Sequence, residues 1–583
     1  MIDFRNTNTV WASILVETFY RLGLRSAIIS PGSRSTPIAI AFANHPHIEA
    51  IPVLDERSAS FFALGIAKQK AKPVVVVCTS GTAGANFYPA VIEARESRVP
   101  LLLLTGDRPP ELRDCHSGQT IDQVKLYSHY PNWQVELAVP CLEISMLRYL
   151  RQTIIQAWKR SLFPVPGAVH INIPFRDPLP PLPQPETSTI AVNFQIDDFF
   201  SGIDSASFEI TANQGLNSLF PLKPGQKGII IAGVAQPKEP KKYCQAIAFL
   251  SKSLGWPVLA DGLTPVRNYA SLNPYLISTY DLILRNPQLA QKLAPEIVIQ
   301  IGDLPTSKEL RNWLEITQPR CWVIDKSYHN LDPLHGKTTH LHFAIESLSV
   351  EEASAPVQTE YLQLWIQTET KVRKAIDQTF AAIEYLIEPK AAWLLSHVLP
   401  PETPIFIANS MPVRDVEFFW TPSDSRVRPF FNRGANGIDG TLSTALGIAH
   451  RNQSSVMLTG DLALLHDTNG FLLRNKFVGH LTIILINNNG GGIFEMLPVS
   501  KFEPPFEEFF ATPQNIDFAQ LCKTYGVEHK LIDSWKHLAE LLNPLPTTGI
   551  RVLELQTNRK VDARWRQEYL AKFASEENEN CRD

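Results

Sequence analysis

The sequence predicts an α/β protein made of three doubly wound parallel-sheet domains. Three observations point there. Short runs of Ile, Leu and Val recur along the chain and stop at Gly, Asp, Asn or Ser, as buried parallel strands do. Helical patterns alternate with those runs, which is the order that builds a parallel sheet. The chain's 583 residues suffice for three or four ordinary domains.

The first block is residues 1–185. Its opening, MIDFRNTNTVWASILVETFYRLGL, predicts an amphipathic helix, and SAIIS, PVVVVC, PLLLLTG and AVHINIP predict strands. In VLDERSASFFALGIAKQK a strand end leads into a helix with Asp55 as N-cap. Phe61, Phe62, Leu64 and Ile66 form its apolar face, and Glu56 falls in its first turn. There a carboxylate already complements the helix dipole, by a few tenths to about 1 kcal/mol. PFRDPLPPLPQPE is too rich in proline for helix or inner strand and predicts a stiff linker.

The second block, 186–355, has strand runs at GIIIAGV, WPVLADG, EIVIQIGD and CWVIDK, and the polar stretch SVEEASAPVQTE marks its end. The third block, 356–583, is expected to begin with a helix around KAAWLLSHVL, followed by strands PIFIANS and VRPFFN. SSVMLTGD and LTIILINNNGG are two further strands, with DTNGFLLRNKFVG between them as the crossover helix. RVLELQT is the last strand, a helix follows, and the tail ASEENENCRD has the composition of a disordered segment.

Composition excludes several classes of function. Apolar residues make up 44% and charged residues 19%, so the chain can bury real cores. A formal charge of −4 gives no basic field for nucleic acid or an anionic membrane. No apolar stretch approaches the roughly 20 residues of a membrane span. The seven cysteines are scattered, with no C-x-x-C pair, as expected for reduced thiols in a cytoplasmic protein.

The chemistry concentrates where strands end. Gly460-Asp461 closes one strand, and Asn487-Asn488-Asn489-Gly490 closes the next. Both therefore lie at carboxyl ends of strands, where open α/β sheets bind ligands. A carboxylate, an amide oxygen and a glycine-loop carbonyl fill half of an octahedral Mg²⁺ shell, leaving the rest to phosphate and water. The same residues also make ordinary turns, so the pair alone does not decide between the two readings.

Glu56, the G-D motif and the N-x-G motif occur in an order that resembles the thiamine diphosphate-dependent decarboxylase and carboligase family. The resemblance spans nearly the whole chain. It implies that family's three-domain arrangement: a pyrimidine-binding domain at 1–185, a central domain at 186–355 and a diphosphate- and Mg-binding domain at 356–583. It implies thiamine diphosphate and Mg²⁺, with Mn²⁺ as a substitute, and Glu56 as the catalytic carboxyl beside the aminopyrimidine ring. Asp461, Asn488 and the Gly490 carbonyl would hold the metal; Gly460 and Ile438 would contact the cofactor, Ile438 as the prop under its bend. At 438 ordinary core packing gives the same apolar character.

Longer segments narrow the resemblance. ISPGSRSTP, TSGTAGANFYPAVIEA, LTGDRPPELRDCHSGQTIDQ and FNRGANGIDGTLSTALG look like one branch of that family. It decarboxylates 2-oxoglutarate and adds the succinyl carbanion equivalent to isochorismate by 1,4-addition, in menaquinone and phylloquinone biosynthesis. Both substrates are dicarboxylates, which suits Arg34, Arg108, Arg414 and Arg433, because guanidinium forks bind carboxylates bidentately. Singly, each of these arginines would read as a solvated surface residue. The resemblance adds Ser33, Gln119, Ser410 and, more weakly, Lys308 as substrate contacts, with Ile493, Phe494 and Leu497 as the apolar wall. It also implies a homodimer or homotetramer with active sites at the subunit interface.

Two positions depart from the family pattern. Ala463 stands where relatives often have serine, and Gly118 where an amide residue precedes Gln119. The alternative, another thiamine diphosphate-dependent 2-oxo acid carboligase of the acetohydroxyacid synthase or oxalyl-coenzyme-A type, would bring a different first-block pattern, and often flavin or nucleotide determinants in the middle domain, which are not evident here. A non-catalytic binding protein of the same fold would be free to lose Glu56, Asp461 or Asn488, and all three are present.

Overall fold

Continuous aliphatic runs become inner strands because both faces of a parallel sheet are covered. The computed structural model describes residues 2–203, 225–348 and 359–575. These contain three six-stranded sheets in which every pairing is parallel.

The first sheet holds β1 (Ser26–Ile29), β2 (Glu49–Pro52), β3 (Val74–Cys78), β4 (Leu101–Asp107), β5 (Trp133–Glu136) and β6 (Ala168–Pro174) in the order β2-β1-β3-β4-β6-β5. The central sheet holds β7 (Gly228–Ala232), β8 (Val258–Ala260), β9 (Leu276–Ile277), β10 (Ile297–Ile301), β11 (Arg320–Ile324) and β12 (Lys337–Leu341). Read from β9, its order is 3-2-1-4-5-6. The third sheet holds β13 (Pro404–Ile407), β14 (Arg428–Phe430), β15 (Ser455–Gly460), β16 (His480–Asn487), β17 (Glu528–Leu531) and β18 (Gly549–Gln556). Its order, β14-β13-β15-β16-β18-β17, repeats that of the first sheet. The first and third sheets thus share a topology without any evident repeat in sequence.

Strand order reverses between β1 and β3, and again between β13 and β15, so each sheet opens a crevice at its carboxyl edge there. The strands missing from the sequence reading, β5, β9, β12 and β17, and β2, of which only the end was read, lie at sheet edges. Four of them are partly exposed along their length and carry no continuous apolar run, and β9 has only two residues.

The described residues form two compact units. One lies within 1–209, 432–452 and 466–479, the other within 210–431, 453–465 and 480–583. The third block therefore contributes two segments to the first unit.

Four expectations change. The N-terminal helix, Thr7–Leu22, is capped by an Asn6/Thr9 capping box and is buried on nearly every side, so it is not amphipathic. Part of its cover is the proline-rich stretch, which is a strap and not a spacer. Proline leaves neighbouring carbonyls without local donors. The Asn6 amide donates to Pro180 O (2.8 Å) and Leu182 O (3.1 Å), and the Asn8 amide to Arg176 O (2.7 Å) and Pro178 O (2.9 Å).

The crossover after Asp461 is a short α-helix, Asp461–Leu465, followed by a 3₁₀ helix, Thr468–Asn475. Asp467 turns inward there to accept from Ser443 N (2.7 Å) and Oγ (3.0 Å), and Gly470 packs closely on Leu442. The third block opens with a helix ahead of the expected one, Glu360–Ala382, whose Trp365, Val372, Ile376 and Phe380 join the core of the central sheet. The boundary stretch at 349–358 and the tail at 576–583 lie outside the described residues.

Candidate active site

In the first unit, the loops that follow β1, β3 and β4 meet at the switch point. The Arg34 amide donates to Thr79 Oγ1 (3.1 Å) and its guanidinium to Phe175 O (2.9 Å). Arg34 Nε is buried without a hydrogen-bond partner. Arg108 donates to Ser80 Oγ and to Gln119 O (3.0 Å), and the Gln119 amide returns to Ser80 O (3.0 Å). Burial and the nearby Arg34 charge push the Arg108 guanidinium below its usual range. Ser33 and Gln119 are exposed beside the pair. Two neighbouring guanidiniums with one orphaned donor have the chemistry to hold a carboxylate.

A buried network supports this pocket. The Gln123 amide bonds Gly106 O (3.2 Å) and Asn172 Oδ1 (3.0 Å), and its oxygen accepts from Gly81 N (2.8 Å). Arg113 pairs with Asp107 (3.0 Å) and Glu136 (2.8 Å) and donates to Arg108 O.

Glu56 begins the helix Glu56–Lys70, with Asp55 accepting from Arg57 N and Ser58 N. All four predicted apolar positions are buried. Glu56 is half-buried; burial, reinforced by the Asp55 charge, raises its carboxyl above the usual range. The same unit contains the loop that carries Arg433 and Ile438. Glu93 accepts from Gly434 N (3.1 Å) and Ala435 N (2.7 Å), and Gly440, at φ 63°, closes the loop against the Phe61 ring.

In the second unit, Asp461, Asn488 and Gly490 come together at the ends of β15 and β16. Asp461 Oδ2 accepts from Gly490 N (2.8 Å) and Oδ1 from Leu462 N (2.8 Å). Burial pushes the Asp461 carboxyl up to about 6 against those hydrogen bonds. Asn488 is 7% exposed, and its Oδ1 is buried with no partner. Gly490 holds φ 136°, and a Cβ there would meet Ala511 O at 2.4 Å. Beside Gly460 a Cβ would meet nothing within 4 Å, which leaves room for a ligand. Among the described residues no group of three or more His, Cys, Asp or Glu could hold a metal. One carboxylate, one orphaned amide oxygen and one glycine carbonyl instead suit a hard cation such as Mg²⁺.

Ser410 follows β13 at the other side of this switch point, at φ 74° and ψ −131°, and the Arg414 guanidinium donates to its carbonyl (2.6 Å). Ile493 and Phe494 are half-buried after the Asn-Gly loop, Phe494 lies against Phe510, and Leu497 is 44% exposed. Lys308 is exposed at the start of the helix Lys308–Thr317, which follows β10 in the central sheet.

Sequence reasoning missed Glu93, Gln123, Glu388, Arg559 and Arg566. For the last two a signal exists, because Arg559, Asp562 and Arg566 form a charged stripe at helical spacing on Arg559–Lys572, and all three are buried. Arg559 donates to Asn489 O (2.8 Å) and Glu495 (3.0 Å), clamping the loop after β16.

Comparison with known proteins agrees with this layout. Three family models match in order: the N-terminal TPP binding domain of thiamine pyrophosphate enzymes over residues 10–126, their middle domain over 218–407 and their C-terminal TPP binding domain over 421–553. Fold and site together define a thiamine pyrophosphate enzyme. Full-length relatives narrow this further. Proteins named 2-succinyl-5-enolpyruvyl-6-hydroxy-3-cyclohexene-1-carboxylate synthase are 68% identical in Nostoc sp. (strain PCC 7120 / SAG 25.82 / UTEX 2576), covering 99% of both chains, and 64% identical in Trichodesmium erythraeum (strain IMS101), covering 98% of this chain and 99% of the relative. The one from Synechococcus sp. (strain JA-3-3Ab) is 54% identical over 98% of each. The chain belongs to this synthase family.

Proposed function

We propose that the protein decarboxylates 2-oxoglutarate and adds the succinyl unit to isochorismate by 1,4-addition. The products are 2-succinyl-5-enolpyruvyl-6-hydroxy-3-cyclohexene-1-carboxylate and CO₂, in menaquinone or phylloquinone biosynthesis. The near-full-length identity to synthases of that name carries the reading. The paired Arg34 and Arg108, with the orphaned Nε of Arg34, support it as a seat for a substrate carboxylate.

Residues 1–185 bind the pyrimidine, 186–355 are the central domain and 356–583 bind the diphosphate and Mg²⁺. Asp461, Asn488 Oδ1 and the Gly490 carbonyl would hold Mg²⁺ or Mn²⁺, with Gly460 leaving space for the diphosphate. Thiamine diphosphate, when bound, supplies the nucleophilic carbon and the electron sink for decarboxylation. Glu56, its carboxyl raised by burial, holds a proton to share with the ring nitrogen of the cofactor. Ile438 props the cofactor. Arg34, Arg108, Arg414 and Arg433 orient the substrate carboxylates, with Ser33, Gln119, Ser410 and Lys308 as polar contacts. Ile493, Phe494 and Leu497 exclude water. The protein works in the cytoplasm as a homodimer or homotetramer, each site completed across the subunit interface. No helix among the described residues is long and apolar enough to cross a membrane.

The test is a coupled assay of purified protein with Mg²⁺, thiamine diphosphate, 2-oxoglutarate and isochorismate. CO₂ release should match isochorismate loss, and Glu56→Gln should cut both by about 10²–10⁴-fold. Cofactor binding without isochorismate consumption would overturn the substrate assignment.

A further inference from the structure

An amide side chain has two nearly isosteric ends, and which end faces a metal depends on what holds the other. Asn488 is such a case. Its Nδ2 donates to Glu388 Oε2 (3.4 Å), while Oδ1 is left buried and unpartnered. Glu388 is 3% exposed and lies on the helix Glu388–Val398, far from Asn488 in sequence. Its Oε2 lies 3.0 Å from Arg566 Nη2. Arg566 is 1% exposed and is gripped by Asp415, from Nε to Oδ1 at 2.8 Å and from Nη2 to Oδ2 at 2.5 Å. Asp415 in turn lies on the helix Met411–Phe419, which begins at the switch-point loop with Ser410. The chain Asp415–Arg566–Glu388–Asn488 is buried throughout.

The arrangement has a defined sense. Glu388 Oε2 already faces a guanidinium, so it is an acceptor, and a carboxylate acceptor selects the NH₂ end of the amide. The reversed amide would set its oxygen against a carboxylate oxygen in a dry interior, where an unmatched polar contact is costly.

We propose that Glu388, itself fixed by Arg566 and Asp415, is a positioning residue that locks the Asn488 carboxamide with Oδ1 toward the metal. This rests on the metal site of the proposed function and extends it to residues that touch neither metal nor substrate. Outer-sphere partners of this kind are worth about 10–100-fold in metal affinity.

The test is Mn²⁺ titration of the full-length protein with thiamine diphosphate present, followed by electron paramagnetic resonance of free Mn²⁺. Glu388→Ala should raise the Mn²⁺ Kd by about 10–100-fold, and Glu388→Gln, which keeps an oxygen acceptor, should recover part of the loss. In an Asn488→Ala background, Glu388→Ala should add nothing, because its effect runs through that amide. A general structural role would instead make the two losses multiply, and that result overturns the proposal. So does an unchanged Kd in a folded Glu388 variant while the wild type binds Mn²⁺. A wild type that binds no Mn²⁺ sinks the metal-site reading and this inference with it. If the alanine variant does not fold, Glu388→Gln and its double variant carry the same comparison.

Discussion

Ser410 adopts a backbone conformation that glycine takes freely and other residues reach only under strain, of order 1–3 kcal/mol. The strain lies at the end of β13, on the switch point of the third sheet, and it puts the Ser410 carbonyl where Arg414 can bond it. Ser410→Gly should therefore raise the melting temperature, by the equivalent of about 1 kcal/mol, while lowering kcat/KM through loss of the hydroxyl. A glycine variant no more stable than wild type would show that the strain is not there to be relieved. At this scale the site is unevenly legible. Asp461, Asn488 and Gly490 can be read from sequence because a strand end is a local feature and one crossover fixes their relation. Glu388 cannot, since a buried carboxylate in a helix looks like any surface charge until the fold supplies its partner; Arg566 shows only as one member of a charged stripe, with its partners unnamed.

Among the elements, the helices Glu56–Lys70 and Thr441–Ala449 approach through glycine. A Cβ on Gly65 would meet Thr444 O at 2.2 Å, and one on Gly447 would meet Phe62 O at 2.2 Å. Gly65→Ala has to separate the two backbones and should destabilise the protein by about 1–3 kcal/mol, read by denaturant midpoint. The end of the second helix is tied to β2 by Glu49, whose carboxylate accepts from His450 Nε2 (3.1 Å) and Arg451 Nε (2.7 Å). Burial raises the Glu49 carboxyl, but these two partners outweigh it and hold the group at about 2. A depressed carboxyl pKa means the folded state binds the proton more weakly than the unfolded one. Its contribution is thus complete above the unfolded value, about 4.3, and is lost as pH falls toward about 2. Melting temperature should drop across that window, and Glu49→Gln should flatten the drop. Neither glycine announces its partner in sequence, whereas the Asp55 cap and the Phe61–Ile66 face of the first helix do.

On the scale of the whole molecule, the central sheet is fastened to the helix that carries Arg414 and Asp415. Fully buried Arg267 donates to Ala260 O (2.9 Å) and to Glu417 O (2.9 Å) at that helix's carboxyl end, and lies 3.4 Å from the Glu417 carboxylate. Glu417 also accepts from Gly262 N and from the Tyr280 hydroxyl. Arg267→Leu strands a buried carboxyl group and removes a helix cap, so it should cost about 3–5 kcal/mol. It should also raise KM for the dicarboxylate substrates, because Arg414 loses its fixed support. Loss of stability with an unchanged KM would confine Arg267 to a structural role.

The sequence by itself determined the α/β class, the three parallel sheets, the inner strands and the placing of Asp461 and Asn488 at strand ends. Those follow from local patterns: aliphatic runs between turn residues, a cap ahead of an apolar helical face, and ligand-type residues at strand ends. Only the tertiary structure decided the shared strand order of the first and third sheets, most edge strands, the proline strap and the buried network behind Asn488. These depend on partners distant in sequence, chosen by burial and by the need of every buried polar group for a mate, and neither condition is written in any one segment of the chain.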